Sequence, residues 1–188
     1  GPAHGGEPGP QRRLSTHPRV VSTSNSVQVE DDDTMGWFVG DGAGAFVVER
    51  CTGPSGVLGW KTINSVGTND MFVIRSIPEA AGGTRLCTVP SPNAASMARD
   101  TAEPYLLETV SGALSMAELE VRDVDFWVFN TPNAWYAEFC GQALGVDASR
   151  YHSVYPRYAN IGGALMPATL YHALHEERIR PGQIVGFY

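Results

Sequence analysis

Between Val124 and Tyr188 the chain alternates apolar strand-type runs with helix-type periodicity, and that alternation leaves few architectures open. Val124-Asp125-Phe126-Trp127-Val128-Phe129 reads as a buried strand. Trp135, Tyr136, Phe139, Cys140, Ala143 and Leu144 then recur at i, i+1, i+4, i+5, the spacing of an amphipathic helix, and Gly145 stands where a glycine ends one. His152-Ser153-Val154-Tyr155 reads as a short strand. From about Gly162 to Glu177 a helix is expected, with Pro167 tolerable near its first turn. Arg180-Pro181-Gly182-Gln183 is a turn and Ile184 to Tyr188 a further strand. Strand, helix, strand, helix, strand in this order predicts an α/β protein.

The upstream part is less regular. Residues 1–18 are rich in Gly and Pro, have no apolar pattern, and read as a flexible segment. Val20-Val21 opens a short strand. Glu30-Asp31-Asp32-Asp33 is an acidic turn whose adjacent carboxylates point in different directions, a poor arrangement for a metal. Trp37-Phe38-Val39 and Phe46-Val47-Val48 are strand-like runs around a glycine knot, Gly40-Asp41-Gly42-Ala43-Gly44-Ala45. Over 51–92 short β-type runs, Val57-Leu58 and Met71-Phe72-Val73-Ile74, alternate with Gly/Pro/Asn turns, and no long element is expected. Asn93 to Leu119 is expected to be helical, with Met97, Leu106, Leu107, Val110 and Leu114 on one face and Pro104 kinking or dividing it.

Charge and composition act by exclusion. A formal charge of −7 and a pI near 5.1 repel phosphates and argue against a nucleic-acid or anionic-membrane surface. No apolar run is long enough to span a bilayer, and the first residues lack the apolar core of a signal peptide. Three cysteines without a CxxC pair give neither a disulfide framework nor a zinc site, so reduced thiols in a cytoplasmic protein are expected. No metal site is expected.

Four motifs bear on chemistry. The glycine knot superficially fits a dinucleotide fingerprint, but a β-type run follows it where that fingerprint needs a helix N-terminus, so its glycines are expected to permit a tight strand-to-strand crossing where a Cβ would clash. His172 and His175 lack a third ligand and read as the polar end of a surface helix. The informative pair is Asn130-Thr131-Pro132-Asn133 and Tyr158-Ala159-Asn160-Ile161-Gly162-Gly163. Each is a polar tip after a short strand and before a helix, the edge at which open α/β sheets bind ligands. An asparagine amide offers donors to a developing oxyanion, and it also suits a helix cap; both readings stand on the residues alone.

In order, the glycine knot, the Asn130 tip, Arg157-Tyr158-Ala159-Asn160-Ile161-Gly162-Gly163 and Arg178-Ile179-Arg180-Pro181-Gly182 resemble a ketosynthase III, a 3-oxoacyl-acyl-carrier-protein synthase III. The resemblance, over about residues 19–188, implies the thiolase fold: two related halves stacked in αβαβα layers, usually dimeric. Residues 19–50 would then be the last strands of the first half. Residues 51–188 would be the second half without its final strand. It also implies acyl transfer from CoA or acyl carrier protein through a cysteine thioester, with no cofactor.

The family's nucleophilic cysteine lies upstream of the segment matching Arg19. Cys51, Cys87 and Cys140 are therefore not assigned that role, and Cys140 is read as packing. The family's histidine falls at Asn130 and its asparagine at Asn160, which makes these two the catalytic candidates. Asn130 can donate a hydrogen bond but cannot carry a proton, so decarboxylative condensation is handicapped, and the segment looks like divergent members in specialised metabolism. Trp135, Pro156 and Tyr158 are the substrate-binding candidates, and Arg178 and Arg180 the docking site for an acidic carrier protein. Three functions stay open: an acyltransferase, a decarboxylative condensing enzyme, and a non-catalytic partner subunit. Strands 19–22, 37–39 and 46–48 would expose unpaired edges without their neighbours. An accompanying chain with the N-terminal half and the nucleophile is therefore expected, the break falling in 1–18 and the whole forming a homodimer.

Overall fold

The computed structural model describes residues 18–23, 38–48, 53 and 55–188. The acidic run Glu30-Asp31-Asp32-Asp33 and Cys51 lie outside the described residues. The strands are β1 Pro18–Thr23, β2 Gly42–Val47, β3 Phe72–Pro78, β4 Thr84–Pro90, β5 Phe126–Val128 and β6 Val185–Phe187. The helices are α1 Ala94–Ala117, α2 Tyr136–Leu144, α3 Tyr155–Tyr158 and α4 Leu165–His175.

β5 organises the core. All three of its residues are buried, it runs parallel to β6, and Trp127 forms a further parallel bridge to Tyr151. A strand covered on both faces needs apolar side chains in both directions, which is why Phe126 to Phe129 is an unbroken apolar run. Alternation then sorts them. Trp127 and Phe129 pack with Leu106 and Val110 of α1 and with Ala137 and Cys140 of α2. Phe126 and Val128 face Met166, Leu170 and Ala173 of α4. The helices thus lie on opposite faces of the strand, as an α/β layer structure requires.

α1 runs unbroken through Pro104 and ends where Glu118 turns left-handed at φ 56°. Its buried Leu106 and Val110 lie one turn apart, on the face expected from the sequence. α2 ends at Gly145 with φ 66°, a conformation that costs a residue without a Cβ little.

Three sequence expectations need correction. Residues 51–92 hold a long element after all: β3 and β4, seven residues each, form an antiparallel hairpin from Phe72↔Pro90 to Pro78↔Thr84. Arg75, Ser76, Thr84 and Arg85 interrupt its apolar pattern, which hides it from periodicity. His152 to Tyr155 is not a strand, because pairing ends after the single Tyr151 bridge and Pro156, with its preset φ, opens the helical turn α3. The glycine knot does not lie between two strands: Gly42 and Gly44 lie inside β2, which pairs antiparallel with β1. Its glycines serve a close approach to the segment before α4. A Cβ on Gly40 would come within 2.6 Å of the Tyr158 carbonyl oxygen, and one on Gly44 would collide with the Pro167 ring.

Candidate functional site

Asn130 stands at the carboxyl end of β5. Its backbone N–H donates to the Tyr188 carbonyl at 2.6 Å, while the Tyr188 N–H donates to Val128 at 3.1 Å, so the β5–β6 ladder carries the residue directly. α2 begins after Trp135 without any side-chain cap, so Asn130 and Asn133 are not consumed as capping residues there. Asn130 Oδ1, Thr131 Oγ1 and Asn133 Oδ1 are all buried without a hydrogen-bond partner. Buried polar atoms are almost always paired, and each orphan costs about 1–3 kcal/mol. Three such atoms fall within four consecutive residues of this tip.

Asn160 is held differently. Its N–H donates to the Phe38 carbonyl and its carbonyl accepts from Gly40 N–H, both at 2.9 Å, which pins it as a one-residue strand against the start of the glycine knot. Its Oδ1 accepts from Gly162 N–H at 2.9 Å. That bond fixes the plane of the amide. The preceding Ala159 has φ 54° and ψ −156°, a region nearly reserved for glycine and worth about 1–3 kcal/mol of strain. A conformation that unfavourable persists because Tyr158 and Asn160 are both tied down on either side of it.

A cleft of about 460 Å³ opens between β2 and α4, lined by Gly42, Gly44, Tyr158, Ile161, Pro167 and His172 among others. Of the three substrate-binding candidates, the structure brings only Tyr158 to it. Trp135 is 57% exposed, its ring against Tyr136 and Phe139, and Pro156 is exposed at the first turn of α3. His172, expected only as part of a polar helix end, also lines the cleft. Here it meets Arg157 Nη1 through Nδ1 and the Tyr158 hydroxyl through Nε2, each at 2.8 Å. The signal available was its position: Pro167 opens the helix, and one face of that helix must look back at the Asn160 loop.

Arg157 also donates to Glu176 at 3.2 Å, as does Arg178, with His152 4.0 Å from the same carboxylate. Burial pushes the Glu176 carboxyl up, but His152, Arg178 and Arg157 together hold it below its ordinary range. Burial and the neighbouring Arg178 charge lower His152. Of the docking candidates, Arg178 is thus engaged within the chain, and Arg180 is exposed. Among the described residues no cluster of three or more His, Cys, Asp or Glu could hold a metal, and no helix is long and apolar enough to cross a membrane.

Cys87 and Cys140 are fully buried. Burial pushes the Cys140 thiol up to about 12, and a thiol so far from ionisation is a poor nucleophile. Iodoacetamide at pH 8 is expected to leave Cys140 of the native protein unmodified, as read by peptide mass mapping. Rapid alkylation would contradict the packing role.

A buried parallel strand with helices on both faces, Asn130 at its carboxyl end and Asn160 in the loop after α3, define an α/β protein. Residues 114–188 match the family described as 3-oxoacyl-[acyl-carrier-protein (ACP)] synthase III C terminal. The β-ketoacyl-[acyl-carrier-protein] synthase III of Porphyra umbilicalis is 25% identical over 178 residues, 86% of this chain and 54% of that protein. Two solved structures share the fold. The 3-oxoacyl-(acyl carrier protein) synthase III of Pseudomonas aeruginosa PAO1 has a TM-score of 0.75 at 18% identity, over 90% of this chain and 52% of that one. The enzyme of the same class from Thermus thermophilus has a TM-score of 0.76 at 21% identity, over 89% and 53%. The chain is thus similar to ketosynthase III over most of its length and shares the fold of these structures, the thiolase fold, and it spans about half the length of the curated relatives it matches.

Proposed function

We propose that this chain is the second part of a ketosynthase III-like acyltransferase. It takes an acyl group from CoA or acyl carrier protein onto a cysteine carried outside residues 1–188, and Asn130 and Asn160 polarise the thioester carbonyl. The observation that carries the reading is the anchoring of Asn160: its backbone is bonded to Phe38 and Gly40 and its side-chain oxygen accepts from Gly162 N–H, so its amide plane is fixed, while Asn130 stands at the carboxyl end of β5. An amide fixed in this way is preorganised to donate where negative charge develops, which is the costliest part of acyl transfer to supply in water. The burial of Cys87 and Cys140 supports a nucleophile elsewhere.

On the same reading the nucleophile lies on a segment outside these residues, and the complete protein is a cytoplasmic homodimer in specialised metabolism. Tyr158, with Trp135 and Pro156 toward the outside, contacts the acyl donor. Arg180 and Arg178 meet the acidic carrier protein, and no cofactor takes part. The test is incubation of the complete protein with acetyl-CoA followed by intact-mass measurement. A covalent acyl adduct is expected, and its absence with partner binding retained would instead indicate a non-catalytic subunit.

Asn130 decides between acyl transfer and decarboxylative condensation. An amide cannot take up the proton or positive charge that an imidazole can, so release of carbon dioxide from a malonyl thioester should be slow. Asn130→His is expected to raise that release by on the order of tenfold or more while leaving adduct formation intact. Equal carbon dioxide release by the two proteins would argue that Asn130 does not face the reacting group.

A further inference from the structure

The contacts of His172 fix its protonation state. Arg157 is only ever a donor, so the 2.8 Å approach of its Nη1 to His172 Nδ1 requires an unprotonated Nδ1. The proton of the neutral ring must then reside on Nε2, and Nε2–H donates to the Tyr158 hydroxyl oxygen, also 2.8 Å away. With its oxygen accepting from His172, the Tyr158 hydroxyl keeps its own proton for a different partner. Tyr158 lines the cleft between β2 and α4. It is also two residues from Asn160, across the strained Ala159. Glu176 keeps Arg157 in place through its own 3.2 Å bond.

We propose that His172 is a positioning residue: held in the Nε2–H tautomer by Arg157, it fixes Tyr158, and through Tyr158 the loop that presents the Asn160 amide. In this arrangement Tyr158 offers its hydroxyl proton to a neutral acceptor oxygen in the cleft. The cleft's exposed Asp41 disfavours an anionic one there. This assignment deepens the acyl-loading reading of the same site and rests on it for its effect on rate, but not for the tautomer itself.

Two measurements on the complete protein test it separately. Long-range proton–nitrogen correlation spectra at pH 7.5 are expected to show His172 protonated at Nε2 alone. That signature should be lost in Arg157→Met. Loading from acetyl-CoA at saturation is expected to fall on the order of tenfold in His172→Phe, since small displacements of a positioned group are costly, with little change in the half-saturating concentration. His172→Gln has one amide that can both accept from Arg157 and donate to Tyr158, so it should stay within about threefold of the native rate. An Nδ1–H tautomer, a charged ring, or equal impairment of the Gln and Phe variants would overturn the assignment. Native loading by His172→Phe would do so as well. If the native protein forms no adduct, the acyl-loading reading fails by itself, and the spectra alone decide the role of His172.

Discussion

Asn160→Ala is expected to slow acyl loading about 100-fold, the usual consequence of deleting one preorganised donor to a developing oxyanion. The size follows from the environment. The Asn160 backbone is bonded on both sides to Phe38 and Gly40, and its side-chain oxygen to Gly162, so no reorganisation is needed when charge develops. Alanine removes the donor and also frees the Gly162 N–H, which could loosen the turn into α4. Asn160→Asp separates these effects. A carboxylate still accepts from Gly162 N–H, more strongly than an amide does, but it has no proton to give and its charge opposes the oxyanion. The aspartate variant should therefore melt at or near the native temperature and load acyl groups no faster than the alanine variant. Quenched-flow mass spectrometry of the adduct, with circular dichroism for the fold, checks both. Loading at the native rate by Asn160→Asp would remove the amide from the mechanism.

How legible this was in the sequence depended on the kind of signal. β5 and α2 were readable because both are buried in a way that leaves a pattern: Phe126 to Phe129 apolar throughout, then Tyr136, Phe139, Cys140, Ala143 and Leu144 at helical spacing with Gly145 at the end. Asn130 and Asn160 were readable as tips because each follows or precedes such an element. The hairpin of β3 and β4 was legible only as the short run Met71 to Ile74, since its stability comes from pairing across Phe72↔Pro90 to Pro78↔Thr84 and Arg75, Ser76, Thr84 and Arg85 break its apolar pattern. The glycine knot was recognised as a site of close approach, but a strand crossing was expected. What comes close is the Tyr158 to Pro167 segment, a contact between residues far apart in the chain. The place of His172 in the cleft was missed for the same reason. Its partners Arg157 and Tyr158 lie a helix and a loop away, and only the folded backbone shows that an apparently superficial histidine ties the Asn160 loop to α4. The α/β fold was therefore readable from local pattern, while the parts of the site that depend on long-range approach were not.

Phe129→Ala should destabilise the protein by about 3–5 kcal/mol, a large share of the roughly 5–15 kcal/mol that holds a typical domain together. The side chain is fully buried, stacked on Trp127 with ring centres 5.8 Å apart and tilted against Tyr151 at the same distance. Truncation would leave a void bounded by the α1 and α2 side chains, and the two aromatic neighbours cannot both close it, because Trp127 is fixed on β5 and Tyr151 is bridged to it. Trp135→Ala is the comparison. That ring is also aromatic but 57% exposed, and its loss should cost under about 1 kcal/mol. Denaturant midpoints of the two variants, measured on the complete protein, should differ accordingly. The functional effect should follow the same order, since Phe129 is the residue before Asn130 and anchors the strand end from which that amide projects. A Phe129→Ala midpoint within error of the native one would mean that β5 is held by something other than this aromatic stack, and would undercut the claim that core packing sets the position of Asn130.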